Sequence, residues 1–397
     1  MTSRNRTGTD NQHELISSIA PQDTVGSPAV SLLLLTLSKK NHISIGYNGL
    51  TETIGGILME KKKIILDVDT GSDDAIAIVC ALLSNEAEVL GITTVGGNLK
   101  LENVTDNTLR VLECCGRTDI GVYEGSSKPL VSTLVSWSLQ AQELERSSGV
   151  NDLTLSFHPQ TLPLPKPSIR KSDRCALVWM IETLLACEEN SVTIVATAPT
   201  TNIALAVRAC PDILKSVREI VIMGGTDQVI DPMLGVKFNV WCDPEALEII
   251  LQSGANVLMI PFDATADSCL SYERAESIRS IGTAPAILVA DLIEQRLKAS
   301  EGFVPVNGKD VCRALHDALA VCAALHPEVI REIRSVSCHV DIGRGICYGE
   351  TAVNRASRLG TVIEPNCRFA YGADTDLFFM FMYRILKEDK ERRGVRS

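Results

Sequence analysis

Positive charge is scarce in this sequence and is nowhere concentrated. The 397 residues include 38 Lys and Arg against 49 Asp and Glu, which gives a formal net charge of -11 at pH 7. The longest basic run is Lys61–Lys63. Because proteins that bind nucleic acids carry a basic surface patch, this composition predicts that no nucleic acid is a partner.

Long apolar runs are also missing from the sequence. The longest early run extends from Ala29 to Leu37, is interrupted by Ser31 and follows the acidic Asp10 and Glu14. It is too short to cross a membrane, and it is too short and too far from Met1 to be the apolar part of a signal peptide. We therefore expect neither secretion nor membrane insertion, and we predict a cytoplasmic protein.

The 13 cysteines form no Cys-x-x-Cys pair and no Cys/His spacing of a zinc site. Scattered thiols of this kind are typical of a reducing compartment rather than of a disulfide framework. Cys114, Cys115, Cys175 and Cys187 fall within apolar helical patterns. We expect these four to be buried thiols.

The first 58 residues have no clean apolar period and are rich in Ser, Thr, Asn and Gly. Because such segments bury too little apolar surface to fold, we expect residues 1–58 to be a largely disordered extension and residues 59–397 to be a single domain. Met59 directly precedes the first predicted strand, and our hypothesis is that it is the natural start. Peptides from before Met59 in the native protein would contradict this hypothesis.

From residue 63 onward, short apolar runs alternate with helical patterns. The predicted strands are Ile64–Asp67, Val89–Thr94, Ile120–Tyr123, Val192–Thr197, Glu219–Met223, Val257–Pro261, Ser335–Asp341 and Thr351–Asn354. The predicted helices are Asp73–Leu83, Leu101–Cys115, Asp173–Cys187, Thr201–Ala209, Pro244–Gln252, Pro285–Lys298, Val311–Leu325 and Thr375–Lys387. Alternation of this kind predicts an α/β fold with a mainly parallel central sheet and helices on both faces.

Polar residues follow several of the predicted strands at the point where each strand ends. They occupy residues 94–98, 197–202 and 223–226. Because ligands of parallel α/β sheets bind at the carboxyl ends of the strands, we expect a binding site at this edge of the sheet.

Four aspartates lie within eight residues directly after the first predicted strand: Asp67, Asp69, Asp73 and Asp74, with Gly71 between the two pairs. The last two fall at the start of a predicted helix, where acids act as caps and favour the helix dipole. Capping explains one such acid but not four. A hard cation with oxygen ligands, Ca²⁺ or Mg²⁺, would relieve their mutual repulsion.

Two other motifs with closely spaced aspartates fit this stretch less well. A calcium loop of the EF-hand type that begins at Asp67 would need different residues at Gly71, Ser72 and Ile78. A phosphatase of the Asp-x-Asp-x-Thr type would need Thr or Val in place of Gly71, so it differs at one position only.

His316 and Asp317 are adjacent within a small, apolar helical pattern. A single histidine in such a helix is usually a packing residue. An adjacent aspartate is harder to dismiss, because burying both side chains requires polar partners. We expect no comparable polar neighbours around His158, His326 or His339.

Together these residues resemble the inosine–uridine preferring nucleoside hydrolase family over roughly residues 61 to 388. The matching motifs are Asp67-Val68-Asp69-Thr70-Gly71-Ser72-Asp73-Asp74-Ala75, Thr93–Asn98, Val195–Asn202, Met223–Gly225, Phe238–Ala246 and His316-Asp317. The resemblance implies an α/β catalytic domain, assembled as a homodimer or homotetramer, that cleaves ribonucleosides into free base and ribose.

The resemblance also implies a role for each motif. One Ca²⁺ would be held by Asp69, Asp74, the backbone carbonyl of Thr197, and Asp317. Catalytic roles would belong to Asp69, which deprotonates the attacking water, and to His316, which protonates the leaving base. The ribose would be bound by Asp73, Asn98, Asn239 and Asp317. Asp67 resembles a supporting residue behind these ligands.

The sequence departs from the family pattern in two places. Lys237 stands where the family has Glu near the ribose, and Asp231, often Asn in the family, is a candidate partner for it. Glu145 and Arg146 replace the first two residues of a His-Gly-x-x-Gly loop. An alternative function is therefore a catalytically impaired homologue that binds Ca²⁺ and a nucleoside or sugar.

Overall fold

The computed structural model describes two separate units of the chain, residues 1–59 and 60–397. The described residues are 35–37, 43–47, 50–52, 61–131, 158–227, 238–299, 313–343, 345, 347–354 and 364–394. In the first unit they form an antiparallel sheet of three strands, β1 (Leu35–Leu37), β2 (Ile43–Tyr47) and β3 (Leu50–Glu52). The boundary near residue 59 and the disorder of residues 1–58 stay predictions.

The described strands of the second unit include a sheet of nine. These are β4 (Lys62–Val68), β5 (Ala87–Thr94), β6 (Val122–Glu124), β7 (Val192–Ala196), β8 (Val217–Met223), β9 (Val257–Ile260), β12 (Ile330–Val340), β13 (Thr351–Asn354) and β14 (Cys367–Ala373). Their order is β13-β12-β14-β9-β8-β7-β4-β5-β6. All neighbours are parallel except at one edge, where β12 pairs antiparallel with β13 and β14. The predicted α/β fold is confirmed.

The described residues of the second unit also form helices between and after the strands. They are α1 (Ser72–Leu83), α2 (Leu101–Cys115), α3 (Ala176–Ala186), α4 (Thr201–Ala209), α5 (Phe238–Cys242), α6 (Pro244–Leu251), α7 (Phe262–Thr265), α8 (Tyr272–Arg279), α9 (Ala284–Lys298), α10 (His316–Leu325) and α11 (Thr375–Arg392). None of these helices is long and apolar enough to cross a membrane.

Strand β4 shows how the sequence builds the two faces of the sheet. Ile64 and Leu66 pack into one core cluster, and Ile65 packs into another on the opposite face. Every residue of α1 is buried, so this helix lies within the first cluster rather than on the surface. The amino end of α1 therefore brings its acidic residues into a buried environment.

The prediction for residues 311–325 is wrong at its amino end. Arg313 and Ala314 pair as strand β11 (Arg313–Ala314) with β10 (Cys269–Leu270), and the helix begins at His316. The apolar period continues through this turn, so periodicity alone misses the break. His316 and Asp317 are thus the first two residues of this helix.

Several other expectations need correction. Strand β14 and helices α5, α7 and α8 were not predicted, because they are short or lack a clear period. Cys115 is buried, but Cys175 is exposed and Cys114 and Cys187 are partly exposed, because Cys175 is the residue that precedes α3. His326 and His339 both have polar neighbours. The ring of His326 lies 2.9 Å from Glu86 and 3.0 Å from Glu328, and Nδ1 of His339 lies 3.1 Å from Glu248.

Candidate active site

The acidic stretch lies at the carboxyl ends of the central parallel strands. Strand β4 ends at Val68 and α1 begins at Ser72, so Asp69 stands in the connection between them. The neighbouring strands β5, β7 and β8 end at residues 94, 196 and 223. The polar stretches that follow these strands therefore meet the aspartates at one edge of the sheet.

Asp67, still within β4, is fully buried. Its Oδ1 accepts hydrogen bonds from Thr93 Oγ1 at 2.6 Å and from Asn202 Nδ2 at 2.8 Å. Burial raises the pKa of Asp67 to about 7, although both hydrogen bonds oppose this shift. These contacts fix the ends of β4 and β5 and the start of α4, which is a supporting role.

Asp69 is held by the loop that follows β5. Its Oδ2 accepts a hydrogen bond from the backbone N–H of Asn98 at 2.6 Å, and its Oδ1 accepts one from the Asn98 side chain at 3.2 Å. Burial and then the Asp74 carboxylate raise the pKa of Asp69 well above its usual range. A carboxylate in this setting gains from a nearby cation.

Asp74 connects the start of α1 with strand β7. Its Oδ2 accepts from the backbone N–H of Gly71 at 3.0 Å, which caps the helix, and its Oδ1 accepts from Thr197 Oγ1 at 2.8 Å. The Asn98 amide also reaches Asp74 at 3.4 Å. Burial, followed by repulsion from Asp73, raises the pKa of Asp74 to about 6.

Asp73 has a different environment from the other acids. Its Oδ1 lies 3.1 Å from Arg296 Nη1 and 3.8 Å from His158 Nδ1. Burial alone would raise the pKa of Asp73, but the Arg296 guanidinium, and then His158, outweigh burial and hold the pKa below its usual value. Asp73 is therefore the acid of this group that is ionised most readily.

Asp317 completes the cluster from the far end of the chain. It is 2% exposed, and oxygens of Asp73, Asp74 and Asp317 lie within 4.8 Å of one another. Burial, and then the charges of Asp73 and Asp74, raise the pKa of Asp317 well above its usual range. Buried carboxylates that repel one another, with only oxygen donors, fit a hard cation such as Ca²⁺ or Mg²⁺.

Asn239 and Thr197 lie side by side at the same edge. The Asn239 Nδ2 donates to the carbonyl oxygen of Thr197 at 2.6 Å and to that of Met223 at 3.3 Å. The amide thus joins the ends of β7 and β8 at Thr197, whose hydroxyl donates to Asp74.

His316 is partly buried at the start of α10. Its Nδ1 lies 2.7 Å from Thr265 Oγ1, and its ring centroid is 6.3 Å from that of Phe262. Both neighbours belong to α7, which the sequence did not predict. They orient the imidazole at the edge of the acidic cluster.

Several predicted positions lie outside the described residues. These are Asp231 and Lys237, together with Glu145 and Arg146. Their roles stay predictions.

Two residues at the site were missed from the sequence. His158 was expected to have no polar neighbours, yet it lies near Asp73 and directly over Gly71, where a Cβ would be 2.0 Å from its Nδ1. Arg296 is 6% exposed and contacts Asp73 from helix α9. The only sequence signal for Arg296 was its position in an apolar helical pattern, where an arginine needs a partner.

A comparison with protein families matches residues 64–380 to the model described as "Inosine-uridine preferring nucleoside hydrolase". Among curated proteins, the pyrimidine-specific ribonucleoside hydrolase RihA of Escherichia coli O81 (strain ED1a) is 36% identical over 274 residues. That match covers 68% of this chain and 81% of the relative.

Solved structures of similar proteins cover a larger share of the chain. A purine-preferring ribonucleoside hydrolase from Gardnerella vaginalis matches with a TM-score of 0.69 and 29% identity, over 83% of this chain and 100% of that one. A plant nucleoside hydrolase, the PpNRh1 enzyme, matches with a TM-score of 0.70 and 26% identity, over 82% of this chain and 99% of that one.

Proposed function

Because the chain belongs to the inosine–uridine preferring nucleoside hydrolase family, a family of N-glycosyl hydrolases, we propose that it hydrolyses ribonucleosides to free base and ribose with the aid of Ca²⁺. The observation that carries this proposal is the buried cluster of Asp73, Asp74 and Asp317, to which Asn98 joins Asp69 by hydrogen bonds to both Asp69 and Asp74. His316 is close enough to interact with the charge of Asp73. A buried group of acids without a function would only destabilise the fold.

We propose that the ligands of the Ca²⁺ ion are Asp69, Asp74, the Thr197 carbonyl and Asp317. The raised pKa values of the three carboxyls, which have repulsion among their causes, support this assignment, because a cation would relieve that repulsion. When bound, the ion would lower the pKa of a coordinated water by several units.

Asp69 would take a proton from the water that attacks the anomeric carbon. The two hydrogen bonds from Asn98 hold its carboxylate in one orientation, which positioned proton transfer requires. The sugar passes through an oxocarbenium-like state in this reaction, and the surrounding carboxylates would stabilise the developing positive charge.

His316 would donate a proton to the departing base. Since its Nδ1 is engaged with Thr265 Oγ1, Nε2 is the nitrogen from which the base would take that proton. Histidine is suited to this role because its pKa is near neutral.

The ribose hydroxyls would be bound by Asp73, Asn98, Asn239 and Asp317, with Asp231 and Lys237 near the same end of the sugar. We propose no preferred base for the substrate, because the relatives' names include both a purine-preferring and a pyrimidine-specific enzyme.

Release of base and ribose from a panel of purine and pyrimidine nucleosides tests the proposed function. We expect release from at least one nucleoside, its loss on addition of a chelator, and its recovery with added Ca²⁺. The measurement is chromatography of the free base together with a reducing-sugar assay. If no nucleoside in a broad panel is cleaved, the leading proposal fails.

The alternative is a catalytically impaired homologue that binds Ca²⁺ and a nucleoside or sugar. Lys237 and Glu145, which depart from the family pattern, favour it. Calorimetry that detects nucleoside binding in the presence of Ca²⁺, together with no base release, would select this alternative.

We further propose that the protein is a cytoplasmic homodimer or homotetramer, as is usual in the family. A monomer mass by light scattering, or recovery in a membrane fraction, would contradict this.

Gly97→Ala should impair catalysis mainly by displacing the Asp69 carboxylate. A Cβ at residue 97 would lie 2.1 Å from Asp69 Oδ2 and 2.9 Å from Pro199 Cδ, so the carboxylate has to move. Since a displacement of 1 Å can cost about 100-fold in rate, we expect kcat to fall by at least about tenfold. The matched control is Gly345→Ala, because no heavy atom of the described residues lies within 4 Å of a Cβ there. Equal rates for the two variants would contradict the role of Asp69.

A further inference from the structure

We propose that Arg296 is the positioning residue of the sugar subsite, where it fixes Asp73 and ties the acidic stretch to the segment that leads into His316 and Asp317. This inference rests on the proposed function, because Asp73 acts on a ribose only if the substrate is a nucleoside.

Arg296 contacts both halves of the site with one side chain. It lies in the last turn of α9, and its side chain is 7% exposed. Its Nη1 lies 3.1 Å from Asp73 Oδ1 and donates to Ser72 Oγ at 2.8 Å. Its Nη2 donates to the carbonyl oxygen of Ala314 at 3.3 Å. Ala314 stands two residues before His316, so the guanidinium joins segments that are more than 200 residues apart in sequence.

The arrangement requires a guanidinium rather than a cation of any shape. The planar guanidinium presents its N–H groups in a rigid fork, whereas a lysine ammonium is a single point of charge on a flexible stem. Here Nη1 contacts the acidic stretch, and Nη2 contacts the segment before α10. The distance between the two segments is therefore set by the width of one rigid group.

Stability alone does not account for this pair. Replacing a buried ion pair by apolar residues of similar volume is often neutral or stabilising, and the surrounding α1 and α9 residues are largely apolar. What an apolar pair would not supply is a carboxylate held in one orientation. With one oxygen held by Arg296, Asp73 retains lone pairs to accept hydrogen bonds from the 2′- or 3′-hydroxyl of a ribose.

Removal of Arg296 should weaken sugar recognition but should not weaken Ca²⁺ binding. Arg296 contributes a positive charge beside Asp73, which is adjacent to the proposed calcium ligand Asp74. Removing that charge makes the cluster more negative, so Ca²⁺ should bind at least as tightly. A variant that merely disrupts the fold would instead weaken both sugar recognition and Ca²⁺ binding.

The test compares Arg296→Ala and Arg296→Lys with the wild type on a ribonucleoside and on its 2′-deoxy and 3′-deoxy analogues. A site built to bind a hydroxyl strongly rejects a substrate that lacks it. We expect Arg296→Ala to lower kcat/KM for the ribonucleoside by about 100-fold. One deoxy analogue lacks the hydroxyl that Asp73 binds, and for this analogue the loss of kcat/KM should be smaller by a factor of at least about ten. Arg296→Lys keeps the positive charge but should also lose the discrimination between ribonucleoside and deoxynucleoside. It keeps the inference testable if the alanine variant does not fold. Added guanidinium ion should partly restore discrimination to Arg296→Ala.

The matched control is Arg279→Ala. Arg279 ends the neighbouring helix α8 and pairs with Asp291 and Glu294 of α9 near the surface, so its loss should leave discrimination unchanged. Calorimetry with Ca²⁺ is the second measurement, and the affinity of Arg296→Ala should equal or exceed that of the wild type.

Three results would overturn the inference. An unchanged ratio of ribonucleoside to deoxynucleoside cleavage in an active Arg296 variant overturns this inference alone. A joint loss of discrimination and Ca²⁺ affinity in both variants shows a structural role only, and overturns it too. A wild type that cleaves no nucleoside overturns the proposed function and this inference with it.

Discussion

Asp69→Ala should abolish base release and leave a folded protein. The carboxylate is fully buried and is held by two hydrogen bonds from Asn98, so the variant loses both the proposed base and a proposed calcium ligand. Positioned proton transfer is worth about 10²–10⁴-fold in rate, and the loss of a ligand adds to this. The measurement is kcat on the best nucleoside of the panel, with circular dichroism and thermal unfolding to verify the fold.

Asp69→Asn separates the two contributions. The amide keeps the shape of the side chain and an oxygen for the metal but has no basicity, so catalysis should fall almost as far while Ca²⁺ binding falls less. Asp106→Asn is the matched control, since Asp106 is a partly exposed residue paired with Arg110 on α2. Activity of either Asp69 variant within about tenfold of the wild type would contradict the assigned base.

Removing Ca²⁺ should make the stability of the protein fall as the pH rises from about 4 to about 7. An acid whose pKa is raised in the folded state binds its proton more tightly when folded, so the stability it contributes is full below its unfolded pKa and is lost as the pH rises through its folded pKa. Burial raises the pKa of Asp74 to about 6 and that of Asp67 to about 7, and those of Asp69 and Asp317 rise as well. The pH window of the stability loss therefore runs from the ordinary aspartate pKa of 3.8 to the raised pKa values of Asp74 and Asp67.

Ca²⁺ should reverse this loss at the upper end of the window. A ligand at 100 times its Kd stabilises the folded state by about 2.7 kcal/mol, and the cation favours the ionised form of each carboxyl that holds it. The measurement is Tm against pH with Ca²⁺ and with a chelator. Asp317→Asn should shrink the difference between the two curves, and Asp106→Asn should not. Identical curves with and without Ca²⁺ would rule out a calcium site at this cluster.

Much of the fold followed from local patterns. Strand β4 contains the apolar run Ile64–Leu66. The predicted bounds of α2 and α4 are those of the structure, because both helices have a clear apolar period. The antiparallel edge was harder to predict, because Arg368 and Gly372 interrupt the apolar residues of β14 and because β14 pairs with β12 through residues more than 30 apart in sequence. Pairing across such distances depends on the whole sheet and leaves no local period.

The sequence by itself determined the family, the α/β fold and the identity of the acids, because a strand, a glycine turn and a helix start bring Asp67–Asp74 together over a few residues. Only the tertiary structure decided how these acids differ. Asp67 has a supporting role because Thr93 and Asn202 donate hydrogen bonds to it. Asp73 is the most readily ionised acid of the group because Arg296 contacts it from α9. The pKa of a buried carboxyl depends on charges within a few ångströms, and neighbours at that range come from distant parts of the chain.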